Sequence, residues 1–208
     1  FRRVLFRSGS NLMVVHPSVP ARNIKEFIAL AKARPGKLNF GSAGTGATSH
    51  MAAEMLKAMA GIDIVHVPFK GGGPAIVAVM GGEVDMGILD TPALLPHLNS
   101  GKLRALAVAS EKRSRVLPQL PTLAESGLPG YHASSWHGFF APAGTPGAIV
   151  TRLHGAIVQL IKLPEVTERL HAQGVEPVAN TPVEFSEFIK SEIARWARVA
   201  KSARIKAD

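Results

Sequence analysis

The 208-residue sequence predicts an α/β fold, a mostly parallel sheet wrapped by helices on both faces. Two observations carry this. Strand-like and helix-like runs alternate at least four times between residues 12 and 108, and the polar or Gly-rich loops 41–48, 68–74 and 90–92 all follow strand-like runs. Ligands of such sheets bind outside the carboxyl ends of the strands, so three such loops on one rim make a site.

Taken in order, Leu12-Met-Val-Val-His16 reads as a buried strand stopped by Pro17 and Pro20. Asn23 caps a helix whose Ile24, Phe27, Ile28 and Ala31 share one face, ended by Pro35-Gly36. Leu38-Asn-Phe40 is a strand leading into Gly41-Ser-Ala-Gly-Thr-Gly46, and Met51, Met55, Leu56 and Met59 mark a helix closed by Gly61. Ile64–Val67 is strand-like, Pro74–Met80 a short helix with Pro in its first turn, Val84–Leu89 a strand, Thr91–Leu98 a helix and Leu103–Val108 a strand. Residues 111–135 read as a long Pro-rich connection with one short helix at Thr122–Ser126. Trp136–Phe140 is strand-like, and helices follow at Pro146–Ile161, Pro164–Gln173 and Pro182–Lys201, the last with Phe185, Phe188, Ile189, Ile193, Trp196 and Val199 as its apolar stripe. Three helices with barely two strands are too few to build a sheet, so this half is expected to pack on something else.

Composition narrows the classes. With no cysteine and 46% hydrophobic residues, the chain is neither a disulfide scaffold, a Cys-ligated zinc module nor a disordered tail. No run reaches the roughly 18 apolar residues of a membrane helix. Of the +9 formal charge, +3 lies at Arg2, Arg3 and Arg7, while residues 11–110 carry nine basic against six acidic groups and 111–208 carry twelve against nine. A basic excess spread this thin, with one Tyr and two Trp, argues against nucleic acid as a partner. Residues 1–10 have the charge of a signal-peptide n-region without the apolar stretch that follows one, and read as a non-native scar on a fragment.

Gly41-Ser-Ala-Gly-Thr-Gly-Ala-Thr48 is the sharpest local feature. Its glycines let the backbone approach a ligand, the following helix N-terminus suits an anion, and Ser42, Thr45 and Thr48 add hydroxyls. It matches neither the P-loop nor the dinucleotide fingerprint, since no Gly-Lys-Ser/Thr is present and Ser49 follows Gly44 and Gly46. Lys70 precedes Gly71-Gly-Gly73, the reverse of a P-loop, so those glycines read as a strand-to-helix turn facing the same cleft. Asp90 ends a strand and precedes Thr91-Pro92: it either contacts ligand or caps the helix. An Asp at an anion site calls for an ammonium, amide, hydroxyl or water on the ligand. The eight His residues form no metal-ligand pattern, and no G-x-S-x-G elbow or convergent nucleophile, base and acid is found, so the residues call for no metal, cofactor or catalysis.

Several ordered segments carry a resemblance: Leu12-Met-Val-Val-His-Pro17, Ala33-Arg-Pro-Gly-Lys-Leu-Asn-Phe-Gly-Ser42, Gly44-Thr-Gly46 with His50, Val65-His-Val-Pro-Phe-Lys-Gly-Gly-Gly-Pro-Ala75, Gly101-Lys-Leu-Arg-Ala-Leu-Ala-Val108, Leu120–Gly130 and Gly138–Pro146. Across residues 11–208 the chain resembles the Bug (TctC) receptors, the extracytoplasmic solute-binding proteins of tripartite tricarboxylate transporters. The resemblance implies a type II periplasmic binding protein fold, two Rossmann-like lobes joined by two crossing strands. It assigns 11–16 to one crossover, 17–105 to the second lobe, and 106–208 to the returning crossover and the C-terminal part of a first lobe whose N-terminal segment is absent here. It implies a non-enzymatic receptor, periplasmic and monomeric when full length, that closes on a small carboxylate and delivers it to membrane permease subunits. Carried over position by position, the ligand contacts fall on Ser42, Gly44, Thr45 and Thr48, on Lys70, Gly71, Gly72 and Gly73, and on Asp90. The competing class is an α/β enzyme acting on a carboxylate or phosphate at the same rim, relying on Asp90 or His50.

Overall fold

The computed structural model describes residues 2–203 and 205, with side chains from residue 9 onward. Its central element is β1 (Arg2–Val15), a 14-residue strand that belongs to two sheets in succession. From Asn11 to Val15 it runs antiparallel between β4 (Met86–Asp90) and β5 (Arg104–Val108). From Arg2 to Ser10 it runs antiparallel to β6 (Ser134–Ala141), and Arg7–Gly9 also pair with β7 (Val175–Pro177). The change of partner falls between Ser10, opposite Ser134, and Asn11, opposite Asp90.

The first sheet has the order β3-β2-β4-β1-β5, with β2 (Asn39–Ser42) parallel to both β3 (Val65–Pro68) and β4. The expectation of a mostly parallel sheet holds for the strands joined through helices and is corrected at β1. That strand runs antiparallel to four neighbours, because no helical crossover delivers it to the sheet. β1 also shows the period of two that a strand covered on both faces requires. Met13 and Val15 point into one core with Phe40, Met86 and Ile88, while Leu12 and Val14 point into the other with Leu89 and Val108. All four are fully buried, worth about 1.5–3 kcal/mol each relative to exposure.

Helices α1 (Ile24–Ala33) and α2 (Thr48–Ala60) cover the first face; α3 (Gly72–Gly81) and α4 (Thr91–Leu98) cover the second. α1 begins where the sequence says, with the Asn23 side chain accepting from the Glu26 N–H, and Gly61 closes α2. The connection after β5 adds Leu123, Leu128 and Tyr131 to the first core. Tyr131 donates its hydroxyl to the Ala52 carbonyl at 2.8 Å, and complete burial pushes its pKa up. Residues 122–126 form a turn in place of the expected helix. Thr122 and Glu125 cap each other's backbone N–H, and the segment stops after a single Thr122–Ser126 bond because Pro129-Gly130 follows.

The second half packs α5 (Gly147–Ile161), α6 (Pro164–Ala172) and α7 (Pro182–Ser202) around β6 and β7. Residues 2–10 of β1 serve there as the middle strand between β6 and β7. The backbone of residues 2–10 is thus part of the sheet. α7 reaches across both halves. Phe185 and Ile189 form a cluster with Trp136, while Trp196 and Val199 pack on the first core. No helix among the described residues is long and apolar enough to cross a membrane.

Candidate functional site

The site lies where β1 changes sheets. A cavity of about 250 Å³ is bordered there by Asn11 of β1, the first turn of α2 (Ala47, Thr48, Ser49), the start of α3 (Gly72, Gly73), Asp90 at the end of β4, and Ser135 of β6. Two further cavities of about 280 and 400 Å³ share Asp90 and Ser135 with it, and the second also takes in Thr48, Trp136, His137 and Trp196.

The helix starts are bare. α1 and α7 carry side-chain caps from Asn23 and Thr181; α2, α3 and α4 carry none, and all three begin at this cavity with no acidic residue in the first turn. Helices α5 and α6 also lack side-chain caps, but their first turns do not border it. Unpaired N–H groups at a helix start carry roughly half a positive charge together with the macrodipole, a good counterpart for a carboxylate.

The Asp90 carboxylate makes no cap bond with α4, which removes the capping reading. It accepts instead from the Ser135 hydroxyl, at 2.7 Å from Oδ1. Ser135 Oγ also stands 3.0 Å from Asn11 Oδ1, and Asn11 Nδ2 donates to the Ala133 carbonyl. Beside them, Thr91 Oγ1 donates to the Ser10 carbonyl at 2.6 Å and pairs with Ser10 Oγ at 2.9 Å. Residues 45 to 124 positions apart are thereby bolted together at the strand's change of sheet.

Of the nine residues the sequence singles out, Thr48, Gly72, Gly73 and Asp90 border this cavity. The other five do not. Ser42 is fully buried, its hydroxyl 2.6 Å from His66 Nε2 and donating to the Gly44 carbonyl at 3.2 Å, so it shapes the loop from beneath. Gly44 (φ 133°) and Gly71 (φ 109°) hold backbone angles that side chains rarely adopt, and the Gly71 N–H donates to the Ala43 carbonyl, fastening one loop to the other. Thr45 and Lys70 are exposed. His50 lies below the loop, buried, and does not border the cavity.

Asn11, Ser49 and Ser135 border it and went unread in the sequence. Ser49 had a local signal as the second residue of a helix after a glycine loop; its Oγ accepts from the Ala43 N–H at 2.9 Å. Asn11 and Ser135 had none, since only strand pairing brings them together. Among the described residues no group of three His, Cys, Asp or Glu side chains stands close enough to hold a metal ion.

Comparison with known proteins finds relatives in both sequence and structure. A family model described as "Tripartite tricarboxylate transporter family receptor" matches residues 4–205. Protein BugT of Bordetella pertussis is 38% identical over 195 residues, 94% of this chain and 60% of that protein. A UPF0065 protein from the tcbD-tcbE intergenic region of Pseudomonas sp. strain P51 is 36% identical over 206 residues, 99% of this chain and 61% of the relative. The chain thus spans about three fifths of their length. Among solved structures, R. palustris Rpa4515 with adipate superposes with a TM-score of 0.90 at 37% identity, covering 97% of this chain and 68% of that one. MatC from Rhodopseudomonas palustris with bound malate gives 0.85 at 32% identity, covering 96% and 69%. The periplasmic binding protein BugD gives 0.87 at 32% identity, covering 99% and 69%. The α/β architecture is that of periplasmic binding proteins.

Proposed function

Because the chain belongs to the tripartite tricarboxylate transporter receptor family, we propose that it is the cleft-forming part of a periplasmic receptor for a small carboxylate. The observation that carries this reading is the convergence of three uncapped helix starts, α2, α3 and α4, on one cavity.

In this mechanism no bond is made or broken. A ligand carboxylate accepts from the backbone N–H groups at Thr48-Ser49 and Gly72-Gly73, where the absence of a Cβ on the glycines permits close approach. The ionised Asp90 repels a second anion, so it faces a hydroxyl, amide, ammonium or bridging water of the ligand. Ser42, Gly44 and Gly71 hold the loops in shape, and Thr45 and Lys70 stand at the exposed rim. The second lobe is 17–105, 106–208 supplies the returning crossover and the C-terminal part of the first lobe, 11–16 is the other crossover, and closure between the lobes presents the loaded receptor to membrane permease subunits. The receptor is monomeric, works without a cofactor and takes no nucleic acid. Support comes from the similar proteins whose structures hold adipate and malate.

The test is a titration with malate, adipate and citrate. Trp136 and Trp196, the chain's two tryptophans, both border the cavity shared with Asp90, so binding changes intrinsic fluorescence. It also raises the melting temperature, since ligand at a hundredfold excess over Kd stabilises by about 2.7 kcal/mol. Asp90→Asn and Ser135→Ala alter which of the three acids binds best; Ser135→Ala also lowers the melt of the free protein, because the buried Asn11 Oδ1 loses its partner. Silence in both signals with every acid at millimolar concentration refutes the reading.

A further inference from the structure

Beneath the loop that begins α2 lies a stack of three rings that carboxylate capture leaves unused. His50 of α2 and His66 of β3 lie face to face, with ring centroids 3.8 Å apart and planes 7° from parallel, and Phe40 of β2 extends the stack at 4.8 Å from His66. Each imidazole holds one end of the loop. His50 Nδ1 accepts from the Gly46 N–H at 3.0 Å, and His66 Nε2 is 2.6 Å from Ser42 Oγ, which in turn bonds the Gly44 backbone.

The His50 bond dictates a protonation state. A nitrogen that accepts from a backbone N–H carries no proton, so the ring is neutral with its proton on Nε2. A second proton would land on Nδ1 and set two donors against each other. The charged groups facing the pair are Glu54, whose Oε1 is 3.9 Å from His50 Nε2, and Lys57, which pairs with that same oxygen at 2.8 Å. Glu54 is therefore already engaged and compensates an imidazolium only in part.

We infer that the stacked His50–His66 pair is a proton-sensitive latch on the anion loop: with both rings neutral it holds residues 42–48 in the shape that presents the α2 N-terminus, and acidification releases that loop. The inference rests on the reading of this loop as a carboxylate site, and makes His50 and His66 positioning residues for it.

Burial lowers both pKa values. His66 falls from 6.5 to about 4 through desolvation first, then repulsion from His50 and Lys57. His50 is lowered by desolvation, partly opposed by Glu54. A released loop exposes the His66 imidazole at its ordinary value of 6.5, and so binds at that ring a proton that the latched state refuses between pH 6.5 and about 4, with the lowered His50 acting in the same direction. The latch is at full strength above pH 6.5, and between there and about pH 4 each unit of acidification shifts the balance towards release by about tenfold through His66, with His50 acting in the same direction.

The test reads the Gly46 and Ala43 amides of the ¹⁵N-labelled chain by NMR and hydrogen exchange from pH 7.5 to 4.5, without ligand. The expected result is strong protection at pH 7.5 that falls by at least tenfold as pH drops through 6 to 5. His50→Asn keeps an acceptor for the Gly46 N–H without a titrating ring, so protection persists and its pH dependence flattens. His50→Phe keeps the stack but removes the acceptor, so the Gly46 amide exchanges fast at every pH. Should His50→Phe not fold, the contrast between the parent and His50→Asn decides. Flat protection in the parent, or His50→Asn behaving as the parent does across the range, overturns the latch. Malate, adipate and citrate titrations at pH 7.5 run separately. Absence of binding there defeats the receptor reading without touching the amide result, and binding that persists undiminished at pH 4.5 defeats the coupling of latch to ligand.

Discussion

The two halves of β1 sit in sheets that are covered to different degrees. From Asn11 to Val15 the strand is sealed on both faces, with 0–1% of each residue exposed. Among the described residues, the half built on Arg2–Ser10, β6 and β7 has one small cluster around Phe185 and Ile189, while Phe139, Phe140, Ile149, Leu153, Leu160, Leu163, Val183 and Ile193 are each 44–72% exposed on β6, α5, the α5–α6 turn and α7. β1 and α7 together therefore tie a well-covered α/β unit to a region whose helices show apolar faces to water. Stability should be distributed just as unevenly, since regions with few buried contacts open first.

Core truncation exposes that asymmetry with the largest effect. Phe27→Ala, at a fully buried position in the first core, is expected to cost about 3–5 kcal/mol in urea denaturation. Leu153→Ala and Ile193→Ala, at exposed helix positions, should stay within about 0.5 kcal/mol. Equal losses from Phe27→Ala and Leu153→Ala would erase the distinction. Smaller, and aimed at the junction, is Thr91→Val. It removes the hydroxyl that bonds Ser10 in two ways and takes that partner from the buried Ser10 side chain, at about 1–3 kcal/mol. If the halves open independently, hydrogen exchange in this variant quickens in β6 and β7 while β2 and β4 stay protected. Uniform acceleration would mean the sheet opens as one unit.

The same contrast explains what could be read from the sequence. Within the first sheet the structure follows local rules: Asn23 starts a helix because its side chain reaches the Glu26 N–H, Gly61 ends one, and helices connect β2, β3, β4 and β5 in the expected parallel sense. Those rules also led to Thr48, Gly72, Gly73 and Asp90, all at the ends of locally legible elements. They fail wherever distant pairing decides. β7 is three residues long and is held by its ladder with β1. Asn11 and Ser135 meet across 124 positions, joined by the register of β1 with β6 and by no pattern in either segment. Asp90 looked like a cap because Thr91-Pro92 follows it, and only the position of Ser135 draws its carboxylate away from α4.

Capping supplies the smallest effect and the cleanest comparison, because each half has one of the same kind. At α1, Asn23 accepts from the Glu26 N–H while Glu26 accepts from the Arg22 N–H; at α7, Thr181 and Glu184 form a capping box. Asn23→Ala should cost about 1 kcal/mol of the cooperative transition, since α1 is part of the sealed core. Thr181→Ala removes a cap of equal kind from a helix whose N-terminal half lies in the open region. Its cost should therefore appear first as faster exchange in α7 and only weakly in the midpoint. pH reads the same box independently. Glu184 is held below the ordinary carboxylate range, first by the Thr181 backbone N–H and then by its hydroxyl, so its support of α7 is present above pH 4.5 and lost as pH falls through the lowered value. Thr181→Ala removes the hydroxyl and keeps the N–H, so an NMR titration should find Glu184 moved only part of the way back towards 4.5. A complete return would mean the first turn of α7 has come undone with its cap, and that the open half of the molecule is held even more loosely than its exposed side chains imply.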